Sequence, residues 1–399
     1  MANSILTPTQ VTREALRVLH QKLNFVGSIT RSYDDSFANS GAKIGDTLRI
    51  RLPNQYVVRR GATLTTQDTT ESYTTLQVNN QIGVDLNFTS VDRTLSLDDF
   101  SKRIINPAVS TLAANIESDA FAMYKDVFNQ VNGHGSAQTF RNVLLGGKLL
   151  DDNLTPQDDN RSICLCTQDN VDLVDGLKGL FNDATSVAKQ YKSGYMGRTA
   201  GFEFMQNTLL PTHTPGTKAG TPLVNGATQT GASLITDGWT NSTAALKQGD
   251  VFTVAGVYRV HPETKVSTGV LQQFVATADA TADGSGNITI AISPAIVTSG
   301  GRKNVSSSPA DNAAITVAGT ASTTHGLSMA YHSDAFAFAT ADLVMPNGID
   351  FAAREVFDGI SMRIVRAYDI NTDSFPCRVD VLYGFKTLRA QLAARLAAN

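Results

Sequence analysis

The chain opens on a helical pattern. Val11, Ala15, Val18, Leu19 and Leu23 fall on one face at spacings of three and four, behind Thr7 as cap, Pro8 at the first helical position and Gln10 three residues after the cap. From Ile44 to Gly61, IGDTLRIRLPNQYVVRRG, the period shortens to two. Leu48, Ile50 and Leu52 alternate with Arg49 and Arg51, Pro53 and Asn54 turn the chain, and Tyr56 to Arg60 predicts a return strand. A threonine-rich stretch, Thr63 to Thr75, leads to strands around Leu76 to Thr89. A long helix is predicted next, capped by Ser96 with Asp98 and Asp99 in its first turn. Phe100, Ile104, Ala108, Leu112, Ile116 and Met123 line one face of it to about Gln130, and Pro107 predicts a kink.

The second half reads as mixed α/β structure interrupted by a different texture. Ile163 to Thr167 predicts a short strand, and Asn170 to Phe181 a helix. Between Thr221 and His325 only six acidic and five basic residues occur, among abundant Gly, Ala, Ser and Thr. Val251 to Val260, Leu271 to Ala276, Asn287 to Ile292 and Ala314 to Val317 predict strands there. Ile288, Ile290 and Ile292 alternate as a half-buried strand requires. The expectation is a small all-β module inserted into the mixed domain. Strands are then predicted near Ala335 to Ala339, Ile360 to Ile370 and Cys377 to Phe385, followed by a tail helix carrying Leu388, Leu392 and Leu396.

Composition narrows the function. Charged residues make up 17% of the 399, against about 25% in ordinary soluble domains, which suggests a surface covered by something other than water. A net charge of −3 argues against a dedicated nucleic-acid binder. No run of about 20 apolar residues is present to span a membrane, and the first residues lack the basic and apolar regions of a signal peptide. Cys164, Cys166 and Cys377 form neither a disulfide framework nor a metal set, and the closely spaced pair reads as buried small hydrophobes. The six histidines are scattered along the sequence. Asp279 to Ile290 resembles a calcium loop until its last position, where isoleucine replaces the bidentate glutamate, so a hairpin turn is expected. No phosphate-cradling, nucleophile-elbow or dinucleotide motif occurs. These features predict neither an enzyme nor a cofactor or metal.

The arginine-studded ribbon is the distinctive feature. Arg49, Arg51, Arg59 and Arg60 could form a phosphate-binding patch, although Tyr56 is the one aromatic interleaved with them. They could equally be a solvated strand face. A third reading fits better: a two-stranded ribbon is marginal alone in water, so its apolar face is expected to lie on another subunit, with Arg49, Arg51, Tyr56, Arg59 and Arg60 at that contact.

The order of these parts resembles the major capsid (coat) proteins of tailed double-stranded DNA bacteriophages, with the Hong Kong 97-type fold. It is most similar to the branch of the short-tailed Salmonella phages. The resemblance rests on LTPTQVTREALRVL, YDDSFANSGAKIGDTLRIRLPNQY, TTQDTTE, FTSVDRTLSLDDFSKRIINPA, GYMGRTAGFEFMQNTLLP and QGDVFTVAGVYRVHP, which together span most of the chain. It implies an α+β capsid subunit with an N-terminal arm (1–43), an extended loop and peripheral strands (44–95) and a spine helix (96–132). A mixed peripheral and axial domain (133–220 and 326–399) would carry an inserted all-β domain (221–325).

It also implies self-assembly through pentamers and hexamers into an icosahedral virion shell, made in the host bacterial cytoplasm. A scaffolding protein, portal and head-completion proteins and weakly held packaged double-stranded DNA would be its partners, with no membrane. In the prototype of this fold an extended-loop lysine forms a covalent crosslink to a neighbour; here Ile44 to Asp99 contains no lysine, so no such crosslink is expected. A tail or decoration protein is the alternative, and the long helix argues against it.

Overall fold

The computed structural model describes residues 12, 15, 19, 23–31, 47–59, 61–64, 66–67, 71–89, 106–177, 197–346, 348, 351–357, 360–371 and 374–398. Two compact units emerge. One comprises Met1–Arg51, Tyr73–Ala120 and Phe336–Leu388, the other Leu52–Ser72, Phe121–Ala335 and Arg389–Asn399.

In the first unit a five-stranded antiparallel sheet is organised around the long strand Ser374–Thr387. Asn80–Thr89 pairs with it from Tyr383 to Ser374. Its other side is shared end to end by Phe336–Ala341 and Ile360–Arg366, and the latter pairs in turn with Phe351–Phe357. Thr47–Leu52 pairs with Ser72–Gln77 as a separate two-stranded sheet. Ile50 and Leu76 are buried in one cluster with Val78, Leu343, Leu382 and Leu388. The ribbon's apolar side, expected to be covered by another subunit, is therefore covered at Ile50 within its own unit.

Ala15 and Leu19, on the predicted face of the first helix, are helical and fully buried, and so is Thr12, which was not placed on that face. The α-helix Asn106–Phe121 buries Ala108, Val109, Leu112, Ala113, Ile116 and Ala120. Its Glu117, 1% exposed, accepts hydrogen bonds from the backbone N–H groups of Phe25 and Val26 at 3.2 Å each and so caps the helical turn Phe25–Ser28. The expected cap Ser96 and the first turns of this helix lie outside the described residues. Its far end stops short of the predicted Gln130: it becomes a 3₁₀ helix over Ala122–Asp126, and Gln130–Asn132 is a strand. Val127, Phe128 and Val131 are all buried, so that segment is enclosed on several sides rather than along one helical stripe.

The second unit holds a seven-stranded mixed sheet. Its order is Gln130–Asn132, Ala393–Ala397, His325–His332, Arg161–Leu165, Phe202–Gln206 and Arg198–Thr199, with Thr212–His213 also on His325–His332. The helix Phe140–Asp152, capped by the Thr139 side chain on Asn142 N–H at 3.3 Å, packs Val143 and Leu150 on this sheet. The helix Thr167–Leu177 follows the strand that was expected before it.

The predicted tail helix does not form. Ala390–Leu392 is a short 3₁₀ turn and Ala393–Ala397 a strand buried at every position. Paired on both sides, that strand has no polar face, and tertiary pairing overrides the helix preference of Ala, Arg and Leu.

The strands Gly220–Val224, Gly231–Trp239, Val251–Val260, Ser267–Ala276, Ile288–Ile296 and Ile315–Val317 form a six-stranded antiparallel sheet of their own. Its core includes Leu234, Trp239, Phe252, Phe274, Ile290 and Ile292. The chain leaves the seven-stranded sheet at His213 and returns at His325, and these two residues are register partners. Among the described residues no helix is long and apolar enough to cross a membrane.

Candidate subunit interface

Of the five residues placed at a subunit contact, Arg49 and Arg51 lie exposed on the strand Thr47–Leu52. The Arg49 guanidinium stands 5.1 Å from the centre of the Tyr73 ring, a cation–π contact that fixes its direction. Tyr56 and Arg59 follow on exposed backbone, and Arg60 lies outside the described residues. The return strand expected over Tyr56 to Arg60 is not a strand over its described part, and Ser72–Gln77 takes its place opposite Thr47–Leu52. Pro53 cannot donate to a ladder, and the residues after it offer no alternation: Val57 and Val58 are both exposed.

The loop is held by side chains instead. Gln67 behaves like a strand neighbour of Val57, accepting its N–H at 2.9 Å and donating to its carbonyl, and Arg59 donates to the carbonyl of Gly61. Gly301 lies against Gln55, where a Cβ would stand 2.3 Å from the carbonyl oxygen. Four apolar side chains project from this segment, with Tyr56 55%, Val57 41%, Val58 82% and Leu64 79% exposed.

The rest of the candidate chemistry resolves into structure. Asp283 accepts from the N–H groups of Ser285 and Asn287 at 2.8 and 2.9 Å, and Asp279 pairs with Lys247, so the calcium-like stretch is the turn between Ser267–Ala276 and Ile288–Ile296. Cys164 is buried, and Cys166 accepts from the Asp169 N–H. Burial raises the Cys166 thiol and pushes Cys377 up to about 11, so both stay protonated and unreactive near neutrality.

The histidines, scattered in sequence, are partly gathered in space. The rings of His134 and His325 lie 4.2 Å apart edge to face, and those of His213 and His325 5.6 Å apart. His213 bridges Tyr124, its Nδ1 3.2 Å from the hydroxyl, and Asp250, its Nε2 2.8 Å from the carboxylate. Gln130 uses its amide N–H groups on Asn132 Oδ1 at 2.8 Å and on His134 Nε2 at 3.0 Å. The wholly buried Arg395 donates to the Gly249 carbonyl at 2.8 Å, and Lys218 donates to the carbonyls of Ala318 and Gly319.

Burial, then the charges of Lys218 and Arg395, depresses His134 from 6.5 to about 4; burial, then the other two histidines, depresses His325 to about 3. Burial also lowers Lys218, brings Arg395 down to about 10 and raises Tyr124. This cluster was missed by spacing alone. The available signal was that His213 and His325 flank the β module, and a closing pair of strands brings its two ends together.

Among the described residues this geometry offers surface and joints, and His213, already held by Tyr124 and Asp250, is part of a joint. Residues 11–394 match the family described as P22 coat protein, gene protein 5. The chain belongs to that coat protein family. Comparison with curated protein sequences finds no match. Among solved structures, Mycobacterium phage Che8 is 11% identical with a TM-score of 0.48, covering 94% of this chain and 90% of its own. The capsid of cyanophage P-SCSP1u is 12% identical at 0.42, with coverages of 90% and 84%. The CUS-3 coat protein I-domain is 28% identical at 0.19, over 25% of this chain and 96% of the domain. The coat protein is thus a structural component of the virion and not an enzyme: a major capsid protein of mixed α+β build, which self-assembles to form the phage shell.

Proposed function

We propose that this coat protein closes through pentamers and hexamers into an icosahedral head around double-stranded DNA, and that residues 49–64 carry one of the contacts between neighbours. The observation behind this reading is the loop itself: Tyr56, Val57, Val58 and Leu64 project as exposed apolar groups, and Arg49, Arg51 and Arg59 of the same stretch of chain are exposed as well. A second copy would cover the apolar groups, and the arginines would meet carboxylates across the contact, where a planar fork gives bidentate pairing. Arg60 belongs to the same contact by sequence. In this reading residues 1–43 are the arm, 44–95 the extended loop with peripheral strands, 96–132 the spine and 221–325 the inserted domain, within a mixed domain formed by 133–220 and 326–399.

Assembly takes place in the host bacterial cytoplasm with a separate scaffolding protein, and portal and head-completion proteins finish the shell. The modest net charge of −3 suits an inner wall that touches packaged DNA without gripping it. The test is the double variant Arg49→Glu/Arg51→Glu alongside Val58→Asp, co-expressed with the adjacent phage genes. Both are expected to give folded, soluble subunits with the wild-type melting temperature and few or no round particles by electron microscopy. Normal particle yield with normal salt resistance from both would remove this loop from the interface.

A further inference from the structure

The β module is tied to the seven-stranded sheet by two chain segments that cross at the histidine cluster. His213 ends the outgoing side and His325 begins the returning side, and the two are paired in register. Lys218, on the outgoing segment, donates to the carbonyls of Ala318 and Gly319 on the returning one, so the segments are clamped a second time. His134 reaches in from the loop after Gln130–Asn132 and lies over Gly319, where a Cβ would stand 3.1 Å from its ring. The three rings are thus the filling of a joint.

That filling is built for neutral imidazoles. Gln130 donates to His134 Nε2, so this nitrogen must present a lone pair, and a proton there would set N–H against N–H. His325 Nε2 is buried without a hydrogen-bond partner, so a proton added there finds no acceptor, and His134 Nδ1, the N–H of its neutral ring, has none to stabilise a charge spread over the ring. The groups facing them are mostly cationic. Arg395 comes from Ala393–Ala397 and Lys218 from the outgoing segment; His213 is the third imidazole, with the uncharged phenol of Tyr124 on it, and Lys125 from Ala122–Asp126 lies farther out, against Gly249 on the His213 side. Asp250, before Val251–Val260, is the facing carboxylate, and it is already engaged by His213 and by the N–H groups of Gly216 and Lys247.

We propose that the His134–His213–His325 cluster is an acid-released latch: neutral, it holds the β module against the seven-stranded sheet, and protonation of His134 and His325 frees the two connecting segments. The latch loosens the joint without unfolding the module, whose core of Trp239, Phe252, Phe274 and Ile290 lies in its own sheet.

The sign follows from linkage. Both histidines are depressed from 6.5 in the closed form, to about 4 and about 3, so the open form binds more protons below neutrality. The closed form is fully favoured above 6.5 and loses ground as pH falls towards those values. Between pH 7 and pH 5 the open-to-closed ratio rises about 20-fold for each histidine that regains its ordinary affinity on opening.

Two measurements on the full-length subunit test this. With histidine labelled at the Cε1 carbon, magnetic resonance of the wild-type chain is expected to show two of the six resonances titrating below pH 5; midpoints near 6.5 for all six would overturn the proposal. Limited proteolysis, normalised to an unfolded control substrate at each pH, is expected to cut within 214–220 or 317–324 at least 20-fold faster at pH 5 than at pH 7. In His134→Gln/His325→Asn, neither of which can take a proton, the rise is expected to vanish while cleavage at pH 7 stays low. An equal rise in that variant would overturn the proposal. If the variant does not fold, the wild-type titration decides.

Discussion

Asp250 allows the strength of the joint to be measured one hydrogen bond at a time. The residue is 2% exposed; its Oδ2 accepts from the backbone N–H groups of Gly216 at 3.0 Å and Lys247 at 2.8 Å, and its Oδ1 lies 2.8 Å from His213 Nε2. Asp250→Ala strands two buried backbone donors and an imidazole nitrogen at once. At about 1–3 kcal/mol for each group left unsatisfied, the expected loss is roughly 3–9 kcal/mol.

Asp250→Asn keeps one oxygen for the two backbone donors. Its amide N–H then meets His213 Nε2, which can accept it once the ring proton moves to Nδ1 and is donated to the Tyr124 hydroxyl, so the loss is about 1–2 kcal/mol. The chain carries a single tryptophan, Trp239, 3% exposed, whose indole N–H donates to Thr236 at 2.9 Å in the core of the β module. Its fluorescence therefore reports this region during urea denaturation. With a slope of ~1–3 kcal/mol per molar urea, the Ala variant is expected to unfold at a urea concentration lower by on the order of 2 M, and the Asn variant by less than about 1 M. Equal midpoints for the two, or an Ala variant within about 0.5 M of wild type, would refute the assignment of Asp250 as the acceptor that closes this joint.

In the first unit, Gly384→Ala places a Cβ 2.1 Å from the carbonyl oxygen of Gln77, a contact that only backbone movement can relieve. The variant is expected to lose about 2 kcal/mol or more, and a melting temperature within a degree of wild type would show that the strands separate more easily than this contact implies. At the level of the shell, the absence of lysine from Ile44 to Asp99 predicts that particles boiled in denaturant migrate as a single band at 42.6 kDa, against a ladder of covalent oligomers if another residue supplies a crosslink.

What could be read from sequence followed the visibility of each element's two faces. Ile288–Ile296 alternates buried and exposed positions through its first half, so its period shows, and Val251–Val260 has the predicted bounds. His325–His332 is buried at seven of its eight positions and Ala393–Ala397 at all five, so neither carries a polar alternation to find; the first was missed and the second was read as helix. Gly231–Trp239 was missed because glycine, serine and threonine dilute its apolar positions Leu234 and Trp239. In the ribbon the strand Thr47–Leu52 was legible, but its partner was not, because Ser72–Gln77 is a strand only through its pairing and the burial of Leu76. The histidine cluster illustrates the general limit. Its members are 79 and 112 residues apart, and only a closed sheet brings them together.

The low charge of this chain takes on more meaning once the burial of individual residues is known. Of the 17% that is charged, Glu117, Arg161, Asp250, Asp342, Asp380 and Arg395 are each no more than 5% exposed. They serve inside: Arg363 pairs with Asp380 at 2.6 Å, Arg354 with Asp342 at 3.1 Å and Arg161 with Asp151 at 2.8 Å. The surface is thus poorer in charge than composition alone suggests.

Removing a charged side chain from water is the chief cost opposed to burial at a contact, and interface centres are correspondingly depleted of charge. A subunit that must be covered by copies of itself gains from placing its charges within its own units and leaving apolar groups such as Tyr56, Val58 and Leu64 outside. On that basis apolar burial supplies the strength of the contact. In the proposed contact Arg49, Arg51 and Arg59 would supply the register, because a planar guanidinium accepts a carboxylate in few orientations and an exposed ion pair adds only about 0–1 kcal/mol.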